Sequence, residues 1–114
     1  MTLDEYQERA RGTAFYPLHM LYVSIALAGE VGELANQVKK LTRDDLPDYD
    51  WRDVLPRQQI PTDRYERIVD ELGDVLWYVA AMASELGVSL EEVAMLQLWR
   101  VNWVFRWRRL QSET

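Results

Sequence analysis

Apolar residues recur at helical spacing along two long stretches of this chain. In the first, Leu27, Val31, Leu34, Ala35, Val38 and Leu41 fall three or four residues apart. In the second, Ile68, Leu72, Val75, Val79, Ala83 and Leu86 do the same. That period gathers side chains on one face of an α-helix. It predicts a helix from about Leu18 to Leu41 and another running from Pro61-Thr62-Asp63 to Leu86. Asp63 is expected to cap the second of these with Glu66 as its partner, and Gly87 to end it in the left-handed conformation. A shorter helix opens near Leu3, where Thr2 and Glu5 have the spacing of a capping box, and breaks at Gly12 and Tyr16-Pro17. Ser89-Leu90-Glu91-Glu92 is a second capping box, opening a last helix that reaches roughly Arg109. No stretch alternates as a strand would, and the predicted fold class is all-α.

Two regions depart from simple amphipathic periodicity. Residues 43–61 hold Pro47, Pro56 and Pro61, several aspartates and no sustained period. They read as a long loop, a type uncommon in compact domains and often functional. The favoured expectation is a surface loop anchored in the core by Trp51; the alternative is a lid over a site. On the last helix, Trp99, Trp103 and Trp107 recur every fourth residue, with Leu96 and Leu110 extending the row. One terminal helix of a small monomer cannot readily bury three tryptophans, and aromatic residues are enriched at interfaces. Burial against a partner subunit is slightly favoured over an intrachain core.

Composition narrows the function classes. The 114 residues suffice for one domain and one core. Cysteine is absent, which removes disulfides, thiolate metal sites and a cysteine nucleophile. The acidic start, Met1-Thr2-Leu3-Asp4-Glu5, lacks the apolar centre of a signal peptide, and no apolar run approaches the ~20 residues that span a bilayer. A cytoplasmic protein with no membrane partner is expected. Net charge is −6, from 13 basic and 19 acidic residues, so the chain lacks the basic footprint of a duplex nucleic-acid binder. Arg100, Arg106, Arg108 and Arg109 concentrate positive charge at the end of the last helix. The favoured reading is a helix end whose dipole suits it; the alternative is an anion contact such as substrate phosphate.

The chemistry lies in two short acidic clusters, Glu30-Val31-Gly32-Glu33 and Glu71-Leu72-Gly73-Asp74. Residues three apart on a helix are surface neighbours, so each cluster points two carboxylates the same way. On both helices the acids lie at the border of the apolar stripe and on the same side of it. Gln37 and Lys40 share the face of Glu30 and Glu33; Arg67, Tyr78 and Glu85 share that of Glu71 and Asp74. If the helices pack along their stripes, the four carboxylates converge, and gathering them requires either protonation or a cation. Oxygen-only donors suit Mg²⁺, Mn²⁺ or Ca²⁺. Gly32 and Gly73, each just before the second acid of its pair, cost a helix about 1 kcal/mol relative to alanine. Their presence implies a close approach of another helix or a ligand. The one histidine, His19, lies outside both clusters and reads as a loop or helix-start residue. That disfavours a di-iron bundle, which uses Glu-x-x-His pairs.

These residues also resemble a known family. Ala28-Gly29-Glu30-Val31-Gly32-Glu33-Leu34, followed by Glu71-Leu72-Gly73-Asp74-Val75-Leu76-Trp77-Tyr78, is similar to the all-α MazG-like nucleoside triphosphate pyrophosphohydrolases. Tyr6-Gln7 through Ala14-Phe15-Tyr16-Pro17 and Leu86-Gly87-Val88-Ser89-Leu90-Glu91-Glu92-Val93-Ala94 extend the likeness over most of the chain apart from residues 43–61 and the C-terminus. The resemblance implies a single MazG-like domain over residues 1–114, an antiparallel helical bundle completed between chains of a homodimer or homotetramer. It implies hydrolysis of a nucleoside triphosphate to the monophosphate and pyrophosphate, with Mg²⁺ (or Mn²⁺) held by Glu30, Glu33, Glu71 and Asp74 and with one of these carboxylates assisting the attack of water on the α-phosphorus. Lys40, Arg67, Tyr78, Gln97 and Arg100 are the expected substrate-binding residues.

The chain departs from the family pattern in three places. Gln97 and Arg100 stand where many relatives carry Asn and, three residues on, Lys. Arg67 stands where Lys is frequent. The two basic changes keep charge but exchange a point charge for a planar fork. Two other readings follow: a phosphoribosyl-ATP pyrophosphohydrolase, which has similar acidic helices, and a non-catalytic interaction protein of the same fold.

Overall fold

The computed structural model describes residues 1–15, 19–53 and 55–112. Among them the chain is all-α, with four α-helices and no strand. They are α1 (Leu3–Arg11), α2 (Met20–Lys40), α3 (Thr62–Leu86) and α4 (Leu90–Ser112). A π-helical turn, Leu41–Asp45, continues α2, and a single 3-10 turn, Arg57–Gln59, precedes α3. No helix is long and apolar enough to cross a membrane among the described residues.

The helix ends follow local chemistry. Thr2 Oγ1 accepts from the Glu5 amide, the expected cap of α1. His19 caps α2 by accepting from the Tyr22 amide on Nδ1, so the lone histidine is a helix-start residue. At α3 the cap lies two residues earlier than expected. The Pro61 carbonyl accepts the Tyr65 amide, helix begins at Thr62, and Asp63 sits inside the first turn. There its charge complements the positive end of the helix. At the other end the Val88 amide donates to Ala83 and the Gly87 amide to Ser84, with Gly87 at φ +69°. This is the Schellman pattern, which needs a residue without a Cβ penalty at the left-handed position. The expected break of α1 at Tyr16-Pro17 lies outside the described residues.

The chain forms two compact units. One is drawn from its two ends, Met1–Leu18 with Ala80–Thr114; the other is His19–Val79. In the first, Ala10, Ala80, Ala83 and Leu90 are buried. The side chain of Gln7 clasps the α3–α4 turn. Its Nε2 donates to Ser84 Oγ and to the Val88 carbonyl, and its Oε1 accepts from the Leu90 amide. Asp4 accepts from the Glu91 amide and Ser89 Oγ from the Glu92 amide. The first donors of α4, which have no intrahelical partner, are therefore satisfied by α1 and by its own cap.

In the second unit α2 turns one face inward, with Val23 and Leu41 buried and Leu34 and Gln37 half-buried. This face is rotated from the predicted stripe. Val31, Ala35 and Val38, expected in the core, are exposed, and so is Leu72 on α3. The apolar arc of each helix is wider than one neighbour can cover, so turning the acidic side inward leaves the rest of the arc facing outward. Leu21, Ile25, Ala28, Gly32 and Ala35, spaced four and three residues apart, form an exposed stripe along α2. Trp51 is 81% exposed, so it does not anchor residues 43–61.

Candidate metal centre

Within the second unit, Glu30 from α2 and Glu71 and Asp74 from α3 each bring a carboxylate oxygen to within 4.8 Å of the other two. The two helices supply the site in different ways. On α3 the three-residue spacing places Glu71 and Asp74 on one face a turn apart. On α2 the inward rotation puts Glu30 among the covered residues rather than at their border. Glu30 and Glu71 are half-buried, and Asp74 opens to solvent.

The electrostatics are those of a site short of positive charge. The Glu30 carboxyl is held above its ordinary value of 4.5. Burial is the largest cause. The nearby Asp74 charge, a hydrogen bond with the Glu71 carboxyl and the charges of Glu71 and Glu33 add to it. Two carboxylates about 4 Å apart repel by ~4 kcal/mol at the effective dielectric near a protein surface. Three oxygen donors at this spacing, partly open to water, fit a hard cation. Mg²⁺ in particular is held by one or two carboxylates with its remaining positions left to water and phosphate. Glu33 is exposed and lies outside the three-carboxylate grouping, one turn along α2.

The other expected site residues fall into three groups. Tyr78 belongs with the acids: it is half-buried, and its hydroxyl is pushed up by burial first, then by Tyr22, Glu30 and Asp74. Its ring meets Trp77 edge-on at 4.9 Å. Arg67 is exposed, one turn before Glu71. Lys40 lies ten residues beyond Glu30, ~15 Å along the helix axis, where its charge acts on Asp44. Gln97 and Arg100 belong to the other unit. There they line a groove of about 560 Å³ with Val88, Val93, Leu96 and Trp99. Among the described residues nothing makes the close approach expected at Gly32 and Gly73: a Cβ at either would meet nothing within 4 Å.

Sequence reasoning passed over Arg64. Its guanidinium donates from Nε to Asp45 Oδ2 at 2.6 Å and from Nη1 to Gln37 Oε1 at 2.6 Å. The signal was available, because Arg64 precedes Glu71 by seven residues, two turns on the same face.

Comparison with known proteins places the chain in a family. The family model of the MazG nucleotide pyrophosphohydrolase domain matches residues 21–99, a span containing both acidic clusters. The Gene 37 protein of Mycobacterium phage L5 is 39% identical over 106 residues, covering 86% of this chain and 83% of that protein. The crystal structure of N-terminally tagged iMazG from Vibrio DAT 722 is similar in fold, with a TM-score of 0.59 and 28% identity over 91% of this chain and 96% of that one. Its C-terminally tagged form gives a TM-score of 0.59 and 27% identity over 90% and 99%.

Proposed function

Because the chain belongs to the MazG nucleotide pyrophosphohydrolase family, we propose that it hydrolyses nucleoside triphosphates to the monophosphate and pyrophosphate. The observation that carries this reading is the meeting of Glu30, Glu71 and Asp74 within 4.8 Å on two helices. These three would hold a divalent cation, Mg²⁺ or Mn²⁺, and Glu33 adds negative charge from the neighbouring turn. The chemistry such a cation supplies is neutralisation of the polyphosphate charge and activation of water near neutral pH. The chain's own part is positioning, which is most of what phosphoryl chemistry asks of a protein. Asp74, the most open of the three, is placed to take a proton at its carboxylate from the attacking water. Tyr78 borders the same carboxylates and offers a phenol edge to the nucleotide.

Arg67 is assigned to the phosphate chain from its place one turn before Glu71. The assignment of Lys40, Gln97 and Arg100 to substrate rests on the family pattern. We read the molecule as a homodimer or homotetramer. In support, the α2 stripe and the tryptophans of α4 are exposed in the single chain, with Leu21 at 67% and Trp99 at 68%.

Incubation with a panel of ribo- and deoxyribonucleoside triphosphates and Mg²⁺, followed by ion-exchange separation of the products, tests the activity. Equal amounts of monophosphate and pyrophosphate are expected. Diphosphate with orthophosphate, or no product from any substrate, rejects it.

A further inference from the structure

The π-helical turn after α2 and the half-buried Arg64 of α3 meet two turns away from the acidic cluster. Leu46 donates to the Leu41 carbonyl at 2.8 Å, an i→i+5 bond that inserts an extra residue into the turn. The wider turn brings Asp45 beside Gln37, since both accept from the one guanidinium of Arg64. Of the ion pairs among the described residues this is the least exposed, with the Arg64 side chain 13% and Asp45 22% accessible. The others, Arg43–Asp44 and Arg52–Asp50, join residues one and two apart on the surface.

The placement relates the clamp to the site. Gln37 follows Glu30 by seven residues and Arg64 precedes Glu71 by seven. Each pair is therefore two turns apart on one helix face, ~10.5 Å along the axis. The clamp and the carboxylates are two rungs between the same two helices. Like charges push the acidic rung apart, and the rung two turns away is charge-assisted, two-pronged and sheltered from solvent.

We infer that Arg64 is a positioning residue for the acidic cluster: by gripping Gln37 of α2 and Asp45 of the π-turn, it fixes the axial register in which Glu30 faces Glu71 and Asp74. The inference rests on the proposal that these carboxylates hold a divalent cation. Groups that orient metal ligands typically change metal affinity by about 10–100-fold when removed.

The test is Mn²⁺ binding, followed by the electron paramagnetic resonance signal of the free ion, alongside helical circular dichroism and the melting temperature. Arg64→Met is expected to weaken Mn²⁺ binding by about 10-fold or more with helicity retained. Arg64→Lys, whose point charge serves only one acceptor well, is expected to fall between it and the wild type. Gln7→Ala is the control for lost stability alone: it removes the clasp of the other unit and is expected to leave Mn²⁺ affinity unchanged. Wild-type binding of Mn²⁺ with Arg64→Met within twofold of it overturns the positioning role. An equal loss in Gln7→Ala overturns it too. If Arg64→Met does not fold, Arg64→Lys and Asp45→Asn decide by the same criterion. If the wild type binds no Mn²⁺, the metal reading itself is wrong and this inference falls with it.

Discussion

Glu30 of α2 and Glu71 of α3 bring carboxylate oxygens to within 4.8 Å of each other, and Glu30 is held above its ordinary value there. This relationship makes the site sensitive to pH in a definite direction. Glu30 binds its proton more tightly folded than unfolded, because its value is raised from 4.5. Between the two values the folded chain holds more protons, so stability falls as pH rises through that window. Below it the penalty is absent; above it the penalty is complete. A divalent cation competes with the proton and relieves the same repulsion. Melting curves with and without Mg²⁺ are therefore expected to separate as pH climbs past the raised value and to converge under acid conditions. Curves that coincide at every pH would contradict a cation at these carboxylates.

Removing one acid should separate stability from function. Glu71→Gln takes away a ligand and a like charge together. It is expected to reduce turnover to background and to abolish the Mg²⁺-dependent rise in melting temperature. Its metal-free melting temperature should equal or exceed that of the wild type, as happens where active sites store repulsion. Glu33→Gln, outside the three-carboxylate grouping, is expected to keep a measurable Mg²⁺ shift. The reverse ranking of the two variants would move the centre of the site toward Glu33.

The acidic helices and most caps were legible in the sequence because they depend on neighbours along the chain. Thr2, Ser89 and Gly87 act within five residues of their partners, and local spacing was enough to place them. The rotation of α2 was not legible. Its apolar residues run around more than half the helix, so periodicity alone allowed Val31 and Val38 inside as readily as Glu30. What settles the rotation is the partner on α3, where Glu30 meets Glu71 and Asp74, 41 and 44 positions further along the chain. Arg64 was missed for the same reason: its acceptors lie 19 and 27 residues away, one of them on a π-turn that no simple period announces. Trp51, a tryptophan among prolines, reads as an anchor but is exposed, because burial of a lone aromatic cannot be read without its neighbours.

Two glycines should respond in opposite directions to the same substitution. Gly73 lies within α3, and an added Cβ there meets open space. Gly73→Ala is expected to stabilise the isolated chain by about 1 kcal/mol through helix propensity. Gly87 has φ +69°, and Gly87→Ala is expected to destabilise by about 1–2 kcal/mol through the left-handed conformation. Urea titrations of both variants measure this. Loss of stability in Gly73→Ala would mean that something other than the described residues packs against that position.

The exposed stripe on α2 leads to a prediction about assembly. Leu21, Ile25, Ala28, Gly32 and Ala35 repeat every four and three residues, the spacing of a helix seam, and Ile25 is 64% exposed. In a monomer, Ile25→Glu is an ordinary surface change, within about 0.5 kcal/mol of neutral. Against a second copy it places a carboxylate in an apolar contact, where an unpaired charge is strongly disfavoured. Light scattering coupled to size exclusion is expected to show the wild type at twice or four times the 13.5 kDa chain mass and Ile25→Glu at a lower multiple. Trp103→Ala on α4, where Trp103 and Trp107 stack with ring centres 6.0 Å apart, tests the second exposed surface in the same way. A wild type that runs at the single-chain mass at every concentration, with Ile25→Glu melting at the same temperature, would leave both stripes as solvent-facing surface and place every group needed for turnover within one chain.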